Sequence, residues 1–232
     1  MLELSDQFWT VISLSMQVSL VAMIFTVPFA IFVAYLLARK RFPGWHIFNA
    51  ICHLPLVMPP VITGYLLLLA FRPRGFLGSF LETIGLSVAF QWSGAAIAAG
   101  VMAFPLVMRP IRLAFENQDK SLLETAKTLG ASRFKAFVTI SLPLAVPGIL
   151  AGGILGFAKA LGEFGATITF VSNIPGETQT LALAVYSLLQ TPSGDTEAFF
   201  LILAGIAISF IAIIASEILA QRLSGKREQG DA

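Results

Sequence analysis

Five apolar runs, each long enough to cross a lipid bilayer, constrain this chain more than anything else in it. A helical crossing takes about 20 residues at ~1.5 Å rise each. The runs Trp9–Ala38, Phe48–Phe71, Trp92–Phe115, Leu142–Phe170 and Phe199–Leu219 all qualify. They fill most of a chain of 232 residues, of which 56% are hydrophobic and 12% charged. A soluble domain carries about a quarter charged residues and, at this length, needs polar residues to cover itself. The pattern therefore predicts an all-α, polytopic membrane protein, one transmembrane domain over 1–232, and excludes a water-soluble enzyme. The first run is too long for a cleaved signal peptide. It is headed by Glu3 and Asp6, and its basic cluster follows it instead of preceding it. A net charge of +2 is too small for a nucleic-acid binder. Cys52 has no second cysteine to pair with, and no Cys/His set has metal-ligand spacing, so neither a metal nor a cofactor is expected.

Orientation follows from Lys and Arg, which concentrate in cytoplasmic loops. Arg39, Lys40 and Arg41 follow the first run. Arg109, Arg112, Lys120, Lys127, Arg133 and Lys135 end or follow the third, and Arg222, Lys226 and Arg227 follow the fifth. That places twelve of fifteen basic residues on one side. Arg72 and Arg74 fall on the other, and Lys159 lies within the fourth run. The expectation is an outside N-terminus and a cytoplasmic C-terminus, with Trp9 and Trp92 at the outer interface.

Two runs carry breaks. The second contains Pro55, Pro59 and Pro60, each of which removes a backbone donor. Freed carbonyls inside a membrane must face protein or a watery cavity, so the segment is either a packed kink or a bend around a pathway. The fourth run weakens at Leu161-Gly-Glu-Phe-Gly165. Counted from Pro143, Glu163 falls about 30 Å along a helix, near the outer face. Lys159 precedes it by four and can pair with it, either as an interfacial pair reaching outwards or as a functional pair in the membrane. Thr63, Thr167, Thr169 and Asn173 offer polar groups for a path, although each hydroxyl can also bond back to its own helix. Ser172–Thr196 is expected outside. Its apolar stretch Leu181–Leu189 is too short to cross and reads as a short re-entrant or surface helix.

The polar stretch Glu116–Ser141 reads as a helix–turn–helix elbow. Ser121-Leu-Leu-Glu124 has the form of a capping box, with Ser121 as the N-cap. Leu122, Leu123, Ala126 and Leu129 form an apolar stripe, and Gly130 supplies a left-handed stop. Ser132 caps a second helix, Arg133–Ile140, anchored by Phe134 and Phe137 and limited by Pro143.

At these residues the chain resembles a known family. Glu124-Thr-Ala126, Gly130 and Ile140-Ser-Leu-Pro143 are similar to the EAA loop of bacterial ABC importer permeases, with Thr125 where the pattern has Ala. Leu54–Tyr65 and Ala160–Thr180 resemble the molybdate-type permeases, whose close relatives carry sulfate, thiosulfate or tungstate. The resemblance implies a type I importer fold in the bacterial inner membrane, working as a homodimer. Each copy would dock on a cytoplasmic ABC ATPase dimer, and a periplasmic molybdate-binding protein would dock outside. It implies a coupling role for Ser121, Leu122, Leu123, Glu124, Ala126, Leu129, Gly130, Phe134 and Phe137. The path or gate is expected at Pro59, Pro60, Thr63, Lys159, Gly162, Glu163, Gly165 and Thr167.

The residues agree with a transporter subunit that draws its energy elsewhere. There is no G-x-x-x-x-G-K-[ST] loop to cradle ATP phosphates, no H-E-x-x-H and no G-x-S-x-G. His46 and His53 have no acidic neighbour in sequence. The competing class is an ion-coupled transporter or channel. Those usually carry carboxylates near the bilayer middle, whereas Glu163 and Glu217 read as lying near span ends. An intramembrane enzyme would need a nucleophile and base that the chain does not pair.

Overall fold

A computed structural model of the chain describes residues 6–39, 41–192 and 194–228. Glu3, Lys40 and Ala232 lie outside the described residues, as do the side chains of Lys120, Lys127, Glu217, Arg222, Lys226 and Arg227. Eleven α-helices and one π turn account for about four fifths of the described residues, and none of these is strand.

Helix α1 (Asp6–Arg39) is the first crossing. A turn at Pro43-Gly44, with Gly44 at φ +82°, reverses the chain into α2 (Trp45–Val57). The second run is not one bent helix. It breaks at Met58-Pro59, and α3 (Pro60–Phe71) leaves at 113° to α2. Proline at the first position of α3 is compatible with a helix start but not with a continued helix. A short helix α4 (Phe76–Thr83), which the hydropathy pattern does not resolve, precedes the third crossing α5 (Trp92–Glu116).

Contacts along the helices set their directions. Leu14 and Val18 of α1 pack with Ala95 and Ala96 of α5 at one end, and Leu37 packs with Phe115 at the other. The two helices are therefore parallel, and α2 with α3 must return the chain across the bundle between them. Beyond the elbow, α8 (Leu142–Leu161) runs antiparallel to α5. A Cβ on Gly148 or Gly152 would lie 2.7 Å from the Pro110 carbonyl oxygen or 2.5 Å from that of Val107. Small residues one turn apart thus let the two backbones touch, which is how membrane helices gain packing energy. The fourth run also breaks, at Gly162–Phe164, and resumes as α9 (Gly165–Val171). The short helix α10 (Leu181–Leu188) sits with Val11 and Leu201 at the α1 start, and α11 (Asp195–Glu228) runs back along α8. The start of α1 and the end of α11 consequently lie at opposite ends of the bundle, which has four candidate crossings, or five if α2 and α3 together make one.

Candidate translocation and coupling sites

Both breaks meet at one place. A Cβ on Gly165 would lie 2.8 Å from the Pro60 side chain, and one on Gly64 would lie 2.4 Å from the Ala166 carbonyl oxygen. So α3 and α9 pack backbone against backbone just beyond their respective breaks. Thr63 and Thr167 are both buried here. The Thr63 hydroxyl has no hydrogen-bond partner among the described residues. Thr169 donates back to the Gly165 carbonyl at 2.8 Å, the local bond expected of an isolated threonine.

Glu163 is packed inside protein. It is only 2% exposed. Gly152 faces Val107, and Val171 faces Gly94, so Glu163 falls at about the level of Gly100, some two turns inside Trp92. The count from Pro143 treated Glu163 as the end of the run, whereas the chain continues beyond it through α9. Its Oε2 is ion-paired with the Lys159 ammonium, and its Oε1 accepts the Ala166 N–H at 3.0 Å. One carboxylate thereby closes the break by capping the first turn of α9. Glu163 is anchored inside protein, while the Lys159 side chain keeps 30% of its surface exposed.

Beyond α9 the chain turns at Ser172, a non-glycine residue at φ +66°. Buried Thr178 ties the loop together, accepting from the Ile174 N–H at 2.9 Å and donating to the Ser172 carbonyl at 3.3 Å. Asn173 donates to Ser187 at 2.6 Å. Ser15 of α1 accepts the Leu181 N–H at 2.7 Å.

At the other end, the elbow forms with two changes from the sequence expectation. Helix α6 (Lys120–Thr128) starts before Ser121, and its cap is Asp119, whose carboxylate accepts the Ser121 N–H at 2.9 Å. The proposed capping box is displaced because an aspartate two residues earlier takes the same donor. That hydrogen bond holds the Asp119 carboxyl below its ordinary value. Gly130 stands at φ +83°, and the Ala131 N–H bonds to the Ala126 carbonyl at 2.9 Å, the six-to-one closure of a Schellman turn. Ser132 caps the next helix, accepting from the Lys135 N–H at 3.2 Å.

That second helix is not limited by Pro143. Helix α7 (Arg133–Ala136) passes through a π turn, Phe137–Ser141, directly into α8. Pro143 lies in the first turn of α8, where the π turn absorbs its missing donor. Phe137 anchors the segment, its ring 4.7 Å from Tyr35 and 6.3 Å from Phe115. Phe134 does not, being 76% exposed. Leu129 (82%) and Leu122 (47%) are also exposed, Leu123 is half-buried and Ala126 is buried. Gln118, which sequence reasoning passed over, joins the parts. It accepts from Arg39 at 2.6 Å and donates to the Ser141 carbonyl at 2.7 Å. Only its position between two helix ends distinguished it in the sequence.

The comparisons bear on both sites. Residues 11–225 match the family model of the binding-protein-dependent transport system inner membrane component. The molybdenum transport system permease protein ModB of Escherichia coli K12 is 52% identical over 225 residues, covering 97% of this chain and 98% of that protein. ModB of Haemophilus influenzae is also 52% identical, covering 95% and 96%. The sulfate transport system permease protein CysT of Salmonella typhimurium is 33% identical, covering 79% and 70%. Among solved structures, a bacterial ABC transporter that imports alginate superposes with a TM-score of 0.75 at 19% identity, over 94% of this chain and 80% of that one. The MetNI methionine ABC transporter gives 0.67 at 13%, over 93% and 94%. The fold is that of an ABC importer permease, and the chain belongs to the family of inner membrane components of binding-protein-dependent transport systems.

Proposed function

We propose that this chain is the membrane-spanning subunit of a molybdate importer, acting as a homodimer in the bacterial inner membrane. The observation that carries the substrate is 52% identity to ModB over nearly the whole of both chains, against 33% to the sulfate permease CysT. ATP is hydrolysed by a separate cytoplasmic ABC ATPase dimer, and the anion arrives on a periplasmic molybdate-binding protein. The clustering of basic residues supports an N-terminus outside and a C-terminus in the cytoplasm.

The elbow is the coupling element. Leu122, Leu129 and Phe134 form an exposed apolar knob that a bare loop would not keep in water, and such a patch marks a protein contact. Ser121, Leu123, Ala126, Gly130 and Phe137 hold its shape, together with Asp119, and Glu124 stands exposed on it. Because α7 runs without a stop into α8, movement of the knob is delivered as movement of a crossing helix.

The gate is the meeting point of the two broken spans, around Pro59, Pro60, Thr63, Gly162, Gly165 and Thr167. Breaking a helix in a membrane is tolerated where protein or water satisfies the backbone, and half-helices are a common way to build a transport site. A buried unpaired hydroxyl costs about 1–3 kcal/mol, so the Thr63 side chain favours parting α3 from α9. Lys159 and Glu163 form a hinge pin, fixing the start of α9 relative to α8. Selection between molybdate, tungstate and sulfate is left to the binding protein, since a path must hold its ion weakly.

The test is ATPase activity of the reconstituted complex with binding protein loaded in turn with molybdate, tungstate or sulfate. Stimulation by the molybdate-loaded protein supports the assignment. Stimulation by a sulfate-binding protein alone moves the chain to the sulfate class.

A further inference from the structure

A cavity between α1, α2 and α5 takes no part in either site. It holds about 770 Å³ and is walled largely by carbon, with Phe25, Phe29, Ile51, Ile97 and Val101 among its lining residues. It runs along the crossings, from Trp92 at the outer end of α5 to Phe48 and Phe104 nearer the elbow. One turn beyond Phe48 stands Trp45, whose indole N–H donates to the Leu37 carbonyl at 3.2 Å. Two guanidinium groups flank that ring, Arg41 at 4.1 Å and Arg112 at 5.0 Å from its centroid. Arg112 gives Nε to Glu116 and Nη1 to Asn49, each at 2.7 Å. Arg41 makes no ion pair among the described residues. Two cations and one carboxylate leave an excess positive charge beyond the slot's end, on the elbow side of Phe48 and Phe104.

We propose that this is a binding site for one anionic phospholipid, its phosphate on Arg41 and Arg112 beside Trp45 and an acyl chain in the slot. The slot lies at hydrocarbon depth, where only an apolar filling is stable. The guanidinium groups lie at the expected cytoplasmic interface, where indole rings anchor and basic pockets between helices hold anionic headgroups. Guanidinium suits phosphate oxygens in charge and geometry.

The experiment uses the purified full-length chain in detergent. It is titrated with phosphatidylglycerol, with phosphatidylcholine of the same acyl chains, and with inorganic phosphate. Lipid retention is read by native mass spectrometry and stability by thermal melting. Phosphatidylglycerol should be retained and raise the melting temperature. Arg41→Gln, at an exposed position, should weaken that retention about fivefold. Val101→Trp should lower it by filling the slot. Equal retention of phosphatidylcholine, indifference to both variants, or full stabilisation by phosphate alone would each overturn the site. A change in the number of copies per particle on Val101→Trp would also overturn it, making the slot an interface between copies.

Discussion

Gly130 sits at φ +83° with nothing within 4 Å of an added Cβ, so substitution there is opposed by the backbone alone. A β-branched residue should cost about 1–2 kcal/mol, whereas Asn visits this region more readily. Gly130→Val is therefore expected to lower molybdate uptake per ATP hydrolysed while the chain still inserts, and Gly130→Asn to be milder. Paired uptake and ATPase assays check this. Asp119 adds a pH dependence. Its folded value lies below the ordinary 3.8, so the stability it gives the start of α6 is full above that value and is lost as pH falls through the folded one. Neutral pH should leave the cap intact. Asp119→Ala should speed amide exchange at Ser121 at neutral pH, while Asp119→Asn should not. At the hinge pin, Lys159→Met would leave a buried carboxylate unpaired, costing about 3–5 kcal/mol. Glu163→Gln should be milder, because an amide oxygen still accepts the Ala166 N–H and the partly exposed Lys159 can hydrate. The double variant should recover much of the loss in a thermal-inactivation cycle.

The crossing helices were legible in the sequence because lipid demands long apolar runs and little else produces them. The ends of α5 fall within a residue of the run that predicted it. The breaks were legible as weak points through Pro59, Pro60 and Gly162, but their consequence was not. Nothing in a one-dimensional pattern says that α3 leaves at 113° or that Gly165 meets Pro60, since both depend on long-range packing. The same blindness hid the burial of Glu163 and its cap on α9, and let Pro143 appear to end a helix that a π turn carries onward. The Asp119 cap lost to a better-known motif two residues later. Helix packing makes its own prediction. Gly152 touches the Val107 backbone, while the nearest atom to a Cβ on Gly153 is 3.9 Å away. Gly152→Ala should destabilise the bundle by about 1–3 kcal/mol and Gly153→Ala should not, as read by thermal inactivation. Between α3 and α9, a cysteine at Thr63 in a Cys52→Ala background should be inert to a water-soluble thiol reagent at rest. It should react during ATP turnover, and inertness in every nucleotide state would count against a gate there.

At the scale of the whole molecule, one continuous body joins the exposed elbow to the proposed gate. Leu122, Leu129 and Phe134 lie at one end. The chain from Arg133 runs through the π turn and α8, and the Lys159–Glu163 pair locks α8 to α9, which packs on α3. Gln118 fixes the start of this body to α1 and α5, so force applied at the knob has a frame to act against. A reporter fused after Ala232 should score cytoplasmic, placing the knob on the side where ATP is hydrolysed. The central claim is that this body converts ATP hydrolysis by a partner into oxyanion import, and labelled molybdate uptake into proteoliposomes tests it most directly. Uptake should require the ATPase subunit, ATP and the loaded binding protein, and should persist when ionophores collapse every ion gradient. Uptake that continues without the ATPase subunit, or that stops when the gradients are collapsed while ATP is still hydrolysed, would contradict it.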